Sequence, residues 1–504
     1  MDGNPGKVVH ELPHTAELSR YAAAAMVFGA SASVLVVELV ALRLLAPYLG
    51  LTLETNTIVI GLALAAIAMG SWAGGRLADR IPPRHALGPL LAVSGVSVAA
   101  TPFAVRAAGV IGDSLLMTTA GLAIIVPGAL LAAVTPMVTK LRLTTLNETG
   151  TVVGQVAGID TAGAIVGTVV TGFVLISRVP VSGIMVGLGA ALVIGAAVVE
   201  LRVRGWRSAA VPAGLVLLGG AAAAAAPGGC DAETIYHCAV VETDPDRASG
   251  RVLLLDGAPH SYVDLADPTY VEYPYAKAMV SVIDTEFAGG QPLRVYHLGG
   301  GGLTLPRYLQ QARRGTSSLV SEIDPGVVKI DREQLGVKTG NGIEVLVEDG
   351  RLRLGQLAGD SQDLVIGDAF GGVSVPWHLT TREAVGEVKR VLVDDGIYVL
   401  NLLDYGPLAF ARAEVATLAA VFNHVALATE TDTLTQGENA GGNLVLIASD
   451  APVDAAAIDA RLAESGIQWD VIGAAELAKW TGAAPVLTDD YAPVDQLLTP
   501  YPDR

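Results

Sequence analysis

Seven apolar stretches, near residues 22–45, 55–77, 86–105, 110–138, 151–176, 181–201 and 208–226, dominate the first 227 residues of this chain. An α-helix needs about 20 mostly apolar residues to cross the hydrocarbon of a bilayer. A chain that must bury seven such segments cannot fold wholly in water. Residues 1–227 are therefore expected to form a multi-pass membrane domain with about seven transmembrane helices and the lipid bilayer as its partner.

Charge divides the chain at the same place. Residues 1–227 carry 13 Lys and Arg against 10 Asp and Glu, whereas residues 228–504 carry 19 against 40. The second part thus reads as soluble and strongly acidic. Its field repels phosphate backbones, so nucleic acid is not an expected partner.

Within the spans, Gly158, Ala162, Gly163 and Gly167 are small enough to let helices approach closely. Intramembrane charge is costly and marks candidate functional sites: Glu38 and Arg43 in the first span, Asp160 in the fifth. Glu38 and Arg43 can pair, or Arg43 can snorkel to the interface, whereas Asp160 has no evident local partner. The segment Gly74–Arg80 resembles the loop after the second helix of major-facilitator transporters, although seven spans are too few for a complete one. Lys7, Arg20, Arg76, Arg80, Arg84, Lys140, Arg142, Arg202, Arg204 and Arg207 fall on one side of the spans, and Arg43, Arg106 and Arg178 on the other. The positive-inside rule then puts the N-terminus in the cytoplasm, and seven spans put the C-terminal domain outside. Cys230 and Cys238, the two cysteines of the chain, follow the last span. A disulfide between them suits an oxidising compartment, two free thiols being the alternative. A zinc site is poorly supported, because His237 is the one other soft ligand nearby, and no metal is expected.

Residues 228–290 read as a small β-rich subdomain, with Arg251–Leu255 a strand before the turn Asp256-Gly257. From 291 to 504 strands and helices alternate. Leu293–Leu298, Ser318–Ile323, Ile343–Val347, Asp363–Ile366 and Gly396–Leu400 read as strands, and Thr304–Ala312, Arg382–Leu392 and Ala409–Val421 as helices. This alternation predicts a mainly parallel, doubly wound Rossmann-like sheet, whose ligands lie beyond the carboxyl ends of its strands. Those ends carry chemistry. Gly299, Gly300, Gly301 and Gly302 follow the first strand and let backbone approach a ligand. Glu322 ends the second, 20 residues beyond Gly302, where a carboxylate can accept both hydroxyls of a ribose. Asp349-Gly350 follows the third, where a nucleobase edge would lie, and Asp368 follows the fourth.

These residues resemble the spermidine synthases, specifically the bacterial membrane-fused spermidine synthase-like (polyamine aminopropyltransferase-like) family. The resemblance runs through Leu255-Asp256-Gly257, Leu298–Gly302, Ser321–Asp324, Glu348–Gly350, Asp368, Val375–Thr381 and Leu487–Val494. In the membrane half it includes Glu38, Arg43–Pro47 and Gly74–Arg80. It implies a class I methyltransferase-like fold and transfer of an aminopropyl group from decarboxylated S-adenosylmethionine to a polyamine acceptor. By the same resemblance Asp368 would accept the amine's proton, Glu322 would hold the ribose and Asp349 the adenine. His260 takes the place of a substrate-side glutamine, and Tyr273 or Tyr275 would line the amine channel. Homodimer formation is left open. Two carboxylates of the family pattern are missing: the loop runs Gly301-Gly302-Leu303-Thr304, and Gly371 stands three residues after Asp368.

Three alternatives stay open. The same nucleoside residues would serve a methyltransferase using S-adenosylmethionine. A domain repurposed outside the cell could use Asp368, His378 and Asp404 for acid–base work on an envelope or sugar substrate without an adenosyl cofactor. Finally, a sensor or transporter-like protein could bind polyamine or nucleoside to control the membrane half.

Overall fold

The computed structural model describes residues 19–49, 53–111, 113–143, 149–176, 178–203, 230–372, 374–435 and 441–499. The chain divides into two compact units, Met1–Leu45 with Glu54–Gly229, and Ala46–Leu53 with Cys230–Arg504.

In the first unit, six helices among the described residues are long and apolar enough to cross a membrane: Arg20–Leu45, Thr55–Arg80, Pro83–Gly109, Leu115–Arg142, Thr149–Leu175 and Val181–Val203. They coincide with the first six apolar stretches. The seventh, 208–226, lies outside the described residues, as do Lys7, Arg204, Arg207 and the side chain of Pro47. Small residues make the crossings: a Cβ on Gly163 would sit 2.4 Å from the carbonyl oxygen of Phe28, and one on Gly167 2.6 Å from that of Ala32. Gly158 faces open space instead.

Two readings of this unit change. The segment Gly74–Arg80 is the last two turns of a continuous helix, Leu53–Arg80, rather than a loop. It is held there by an ion pair from Asp79 to Lys140 (2.6 Å) and by Arg76 stacked on Trp72 (3.9 Å). Asp160 does have a partner, the Thr135 hydroxyl, which donates to it across 2.8 Å from 25 residues upstream. Proximity in sequence could not reveal that contact. Glu38 and Arg43 are both half-buried.

The second unit begins with a four-stranded antiparallel meander of β1 (Ala232–Glu233), β2 (Cys238–Thr243), β3 (Gly250–Leu255) and β4 (Ala258–Asp264). Asp256 and Gly257, both at positive φ, make the two-residue turn between β3 and β4. A disulfide joins Cys230 to Cys238. The main sheet has eight strands: β5 (Arg294–Leu298), β6 (Ser317–Glu322), β7 (Ile343–Val347), β8 (Gln362–Gly367), β9 (Leu392–Tyr405), β10 (His424–Glu430), β11 (Gly441–Ser449) and β12 (Trp469–Ile472). Their order is β12-β10-β11-β9-β8-β5-β6-β7.

The half from β7 to β9 is parallel, as expected; the half from β9 to β12 is antiparallel, so the sheet is mixed. Alternate residues of the central strands bury into opposite cores. Tyr296, Leu298, Val365, Tyr398 and Leu400 pack with the helices Arg382–Val391 and Ala409–Ala419. Val295, Leu364, Ile366, Ile397 and Val399 pack with the helix Pro274–Glu286. Two buried faces explain why these strands read as unbroken apolar runs. Chain order reverses at β5, which lies between β6 and β8, and a crevice opens at that switch point.

Candidate active site

A cavity of about 420 Å³ occupies the crevice. It is within the size range of small-molecule sites. Its wall contains Gly299, Gly301, Glu322, Asp349, Gly350 and Asp368 together with His260, Tyr273, Tyr275 and His378. Residues from the ends of four strands and from the β-meander thus meet in one place.

The turn after β5 is shaped by close backbone approach. Gly299 has φ +96°, and a Cβ there would lie 2.2 Å from the carbonyl oxygen of Asp368. Only glycine lets the loops after β5 and β8 come that near. Gly302, at φ +73°, donates its N–H to the buried Asp331 (3.0 Å). Gly300 donates to Glu322 Oε2 (2.8 Å), while the N–H of Asp324 holds Oε1 (2.9 Å). Both oxygens of Glu322 are fixed by backbone, and each keeps a lone pair for a diol. Burial raises this carboxyl's pKa, opposed by the same two hydrogen bonds.

Asp349 caps the short helix Gly350–Leu354, its Oδ1 accepting from the N–H groups of Arg351 (2.9 Å) and Leu352 (3.1 Å). Its Oδ2 lies 3.2 Å from His378 Nε2. The strand-end capping role and the cavity position therefore coexist. His378 belongs to this end of the cavity, on a loop clamped by Arg351, which reaches the His378 carbonyl (2.8 Å) and makes a two-pronged pair with Asp489 (2.8 and 2.6 Å).

At the other end is Asp368. Its Oδ1 accepts from Asn401 Nδ2 (2.9 Å), and Tyr275 approaches Oδ2 at 3.4 Å. Burial pushes the Asp368 carboxyl up to about 6, outweighing those two hydrogen bonds. Burial also lowers His260 to about 4, so its imidazole is neutral, and raises Tyr273 to about 12.

Asp404 does not reach the cavity. It is fully buried, accepting from the N–H groups of Tyr405 (2.9 Å), Thr499 (3.0 Å) and Ala411 (3.0 Å). It ties the helix Ala409–Ala419 to the C-terminal segment, which is a structural task. Among the cavity residues that escaped the sequence reading of the site are His237, Asn401 and Asn443. Asn401 carries Asp368 and receives the Asn443 amide (3.1 Å). Its signal was visible as one amide inside the apolar run Val399-Leu400-Asn401-Leu402 of a doubly buried strand.

The mixed sheet, the glycine turn and the strand-end carboxylates define the fold shared by class I methyltransferases and spermidine synthases. No family model matches the chain. It is, however, 30% identical over 455 residues to polyamine aminopropyltransferase 2 of Streptomyces coelicolor, covering 81% of this chain and 79% of that one. The chain belongs to the polyamine aminopropyltransferase family. A polyamine aminopropyltransferase of Vibrio vulnificus is 28% identical over 154 residues, covering 30% of this chain and 50% of the relative. One from Chromobacterium violaceum is 26% identical over 142 residues, covering 28% and 53%. The chain thus spans about half the length of these two relatives. Among solved structures, a probable spermidine synthase from Corynebacterium glutamicum superposes with a TM-score of 0.49 at 26% identity, covering 52% of this chain and 97% of that one.

Proposed function

We propose that this chain is a membrane-bound aminopropyltransferase that carries an aminopropyl group from decarboxylated S-adenosylmethionine to an amine acceptor. The observation that carries the reading is a buried carboxylate with pKa about 6, Asp368, at the far end of a cavity whose near end is Glu322 and Asp349. In the step, the acceptor's neutral nitrogen forms a bond to the carbon beside the sulfonium. The carbon–sulfur bond breaks, methylthioadenosine leaves with the electron pair, and the proton lost by nitrogen passes to Asp368. Asn401 and Tyr275 orient that carboxylate. Glu322 would accept the ribose hydroxyls, and Asp349 with His378 would face the base. Most of the catalysis is then alignment, with proton removal added by Asp368. Full-length protein given decarboxylated S-adenosylmethionine and putrescine should release methylthioadenosine. No release with any amine acceptor would reject the reading.

The disulfide and the charge asymmetry favour a second reading, in which the soluble unit faces outside the cell and acts on an envelope or sugar substrate without an adenosyl donor. Reporters active on opposite sides of the membrane, fused to the C-terminus, separate the two. A signal from the cytoplasmic reporter alone removes the second reading.

A further inference from the structure

The disulfide closes a ring of residues 230–238 around β1 and the turn Thr234–His237. That turn is seated on the segment that holds Glu322. The Thr234 hydroxyl bonds to Asp324 Oδ2 and accepts the N–H groups of Tyr236 (3.2 Å) and His237 (2.8 Å). Asp324 in turn gives its own N–H to Glu322 Oε1 (2.9 Å) and accepts that of Gly326 (2.8 Å) on its Oδ1. The seat is tight: a Cβ on Gly326 would lie 2.5 Å from Thr234 Cγ2. On the other flank, Asp256 is held by the Cys238 N–H (2.9 Å) and takes His237 Nδ1 (2.8 Å), which turns His237 into the cavity wall. A continuous set of contacts therefore runs from the disulfide through Thr234 and Asp324 to Glu322.

We propose that the Cys230–Cys238 disulfide is a redox-sensitive device that sets affinity for the nucleoside part of the donor. This rests on Glu322 being the ribose-binding carboxylate. In the oxidised form the clipped turn presses Asp324 into place and Glu322 is held ready for the diol. A dithiol reductant supplies two electrons and two protons, the S–S bond becomes two thiols, and the dithiol closes to its own disulfide. With the covalent clip gone the turn is held to β2 by hydrogen bonds alone: the β1–β2 pairs, the Asp231 N–H to the Ala239 carbonyl (2.9 Å) and the Val241 N–H to Asp231 (2.8 Å). In this scheme Thr234 and His237 then shift from their seats and Glu322 loses one of its two backbone supports. Thr234 and His237 are positioning residues in this scheme.

The test uses full-length protein in detergent and 5′-methylthioadenosine as the probe, with binding measured by calorimetry before reduction, after a dithiol, and after reoxidation. The expected result is about a tenfold or larger loss of affinity on reduction, the size of one lost hydrogen bond to a charged group, and recovery on reoxidation. Oxidised Thr234→Val should show the same loss and Thr234→Ser should keep the affinity. Equal affinity of the oxidised and reduced forms overturns the proposal. If the reduced form loses its circular dichroism, Thr234→Val decides, and wild-type affinity in that variant overturns it. Oxidised wild-type protein that fails to bind methylthioadenosine at all instead removes the nucleoside reading on which this one stands.

Discussion

Replacing Asp368 by Asn keeps the shape of the side chain and its contact with Asn401 but removes the proton acceptor. General-base catalysis contributes about 10²- to 10⁴-fold, so kcat should fall by that factor while affinity for the donor changes by less than about tenfold. The pH dependence is the sharper readout. An alkylamine acceptor titrates near pH 10, so its neutral fraction rises about tenfold per unit through the working range. The Asp368 carboxyl titrates at about 6 and must be ionised to take a proton. Log kcat/KM of the wild type should therefore climb with a slope of about two below pH 6 and about one above it. The Asn variant should show a slope of about one throughout, since only the amine still titrates. Methylthioadenosine release between pH 5 and 8 measures both profiles. A wild-type profile with no break near 6, or a variant with unchanged kcat, would refute the assignment of Asp368 as base.

Other expectations follow from single contacts. Glu322→Gln turns an amide N–H₂ toward the N–H groups of Gly300 or Asp324, and KM for the donor should rise about 10- to 100-fold with a smaller change in kcat; an unchanged KM would count against ribose binding there. Gly299→Ala forces an L-residue to φ +96° with its Cβ against the Asp368 carbonyl. Conformational strain of about 1–3 kcal/mol plus the clash should lower Tm and weaken donor binding together. In the membrane unit, Gly163→Ala should reduce thermal stability in detergent because its Cβ meets the Phe28 backbone, whereas Gly158→Ala, which meets nothing, should leave it unchanged. Equal melting of the two variants would contradict the helix crossing described.

What could be read from sequence was what local rules control. Strand ends carrying glycine or carboxylate, and apolar runs of helix length, identified the parallel half of the sheet, the cavity wall and six of the spans. The antiparallel half escaped because β10, β11 and β12 are short apolar runs whose direction depends on pairings tens of residues apart, such as Leu427 with Leu446 and Ile472. Asp404 was misplaced for a related reason. As the penultimate residue of β9 it resembles a strand-end carboxylate, but the N–H groups of Tyr405 and Thr499 take its Oδ1 and that of Ala411 takes its Oδ2. Asp160 and Thr135 show the same limit in the membrane unit, where a polar pair is made between helices rather than along one. His237, in the turn between β1 and β2, carried no signal of its own as a cavity residue, since its placement comes from the Asp256 turn beside it.

The decisive measurement is the structure of the full-length protein determined with methylthioadenosine bound. The ribose hydroxyls should lie within hydrogen-bonding distance of Glu322, the base beside Asp349 and His378, and the sulfur on the Asp368 side of the cavity. Nucleoside bound elsewhere, or a cavity closed to it with Glu322 and Asp368 turned to separate surfaces, would contradict the account.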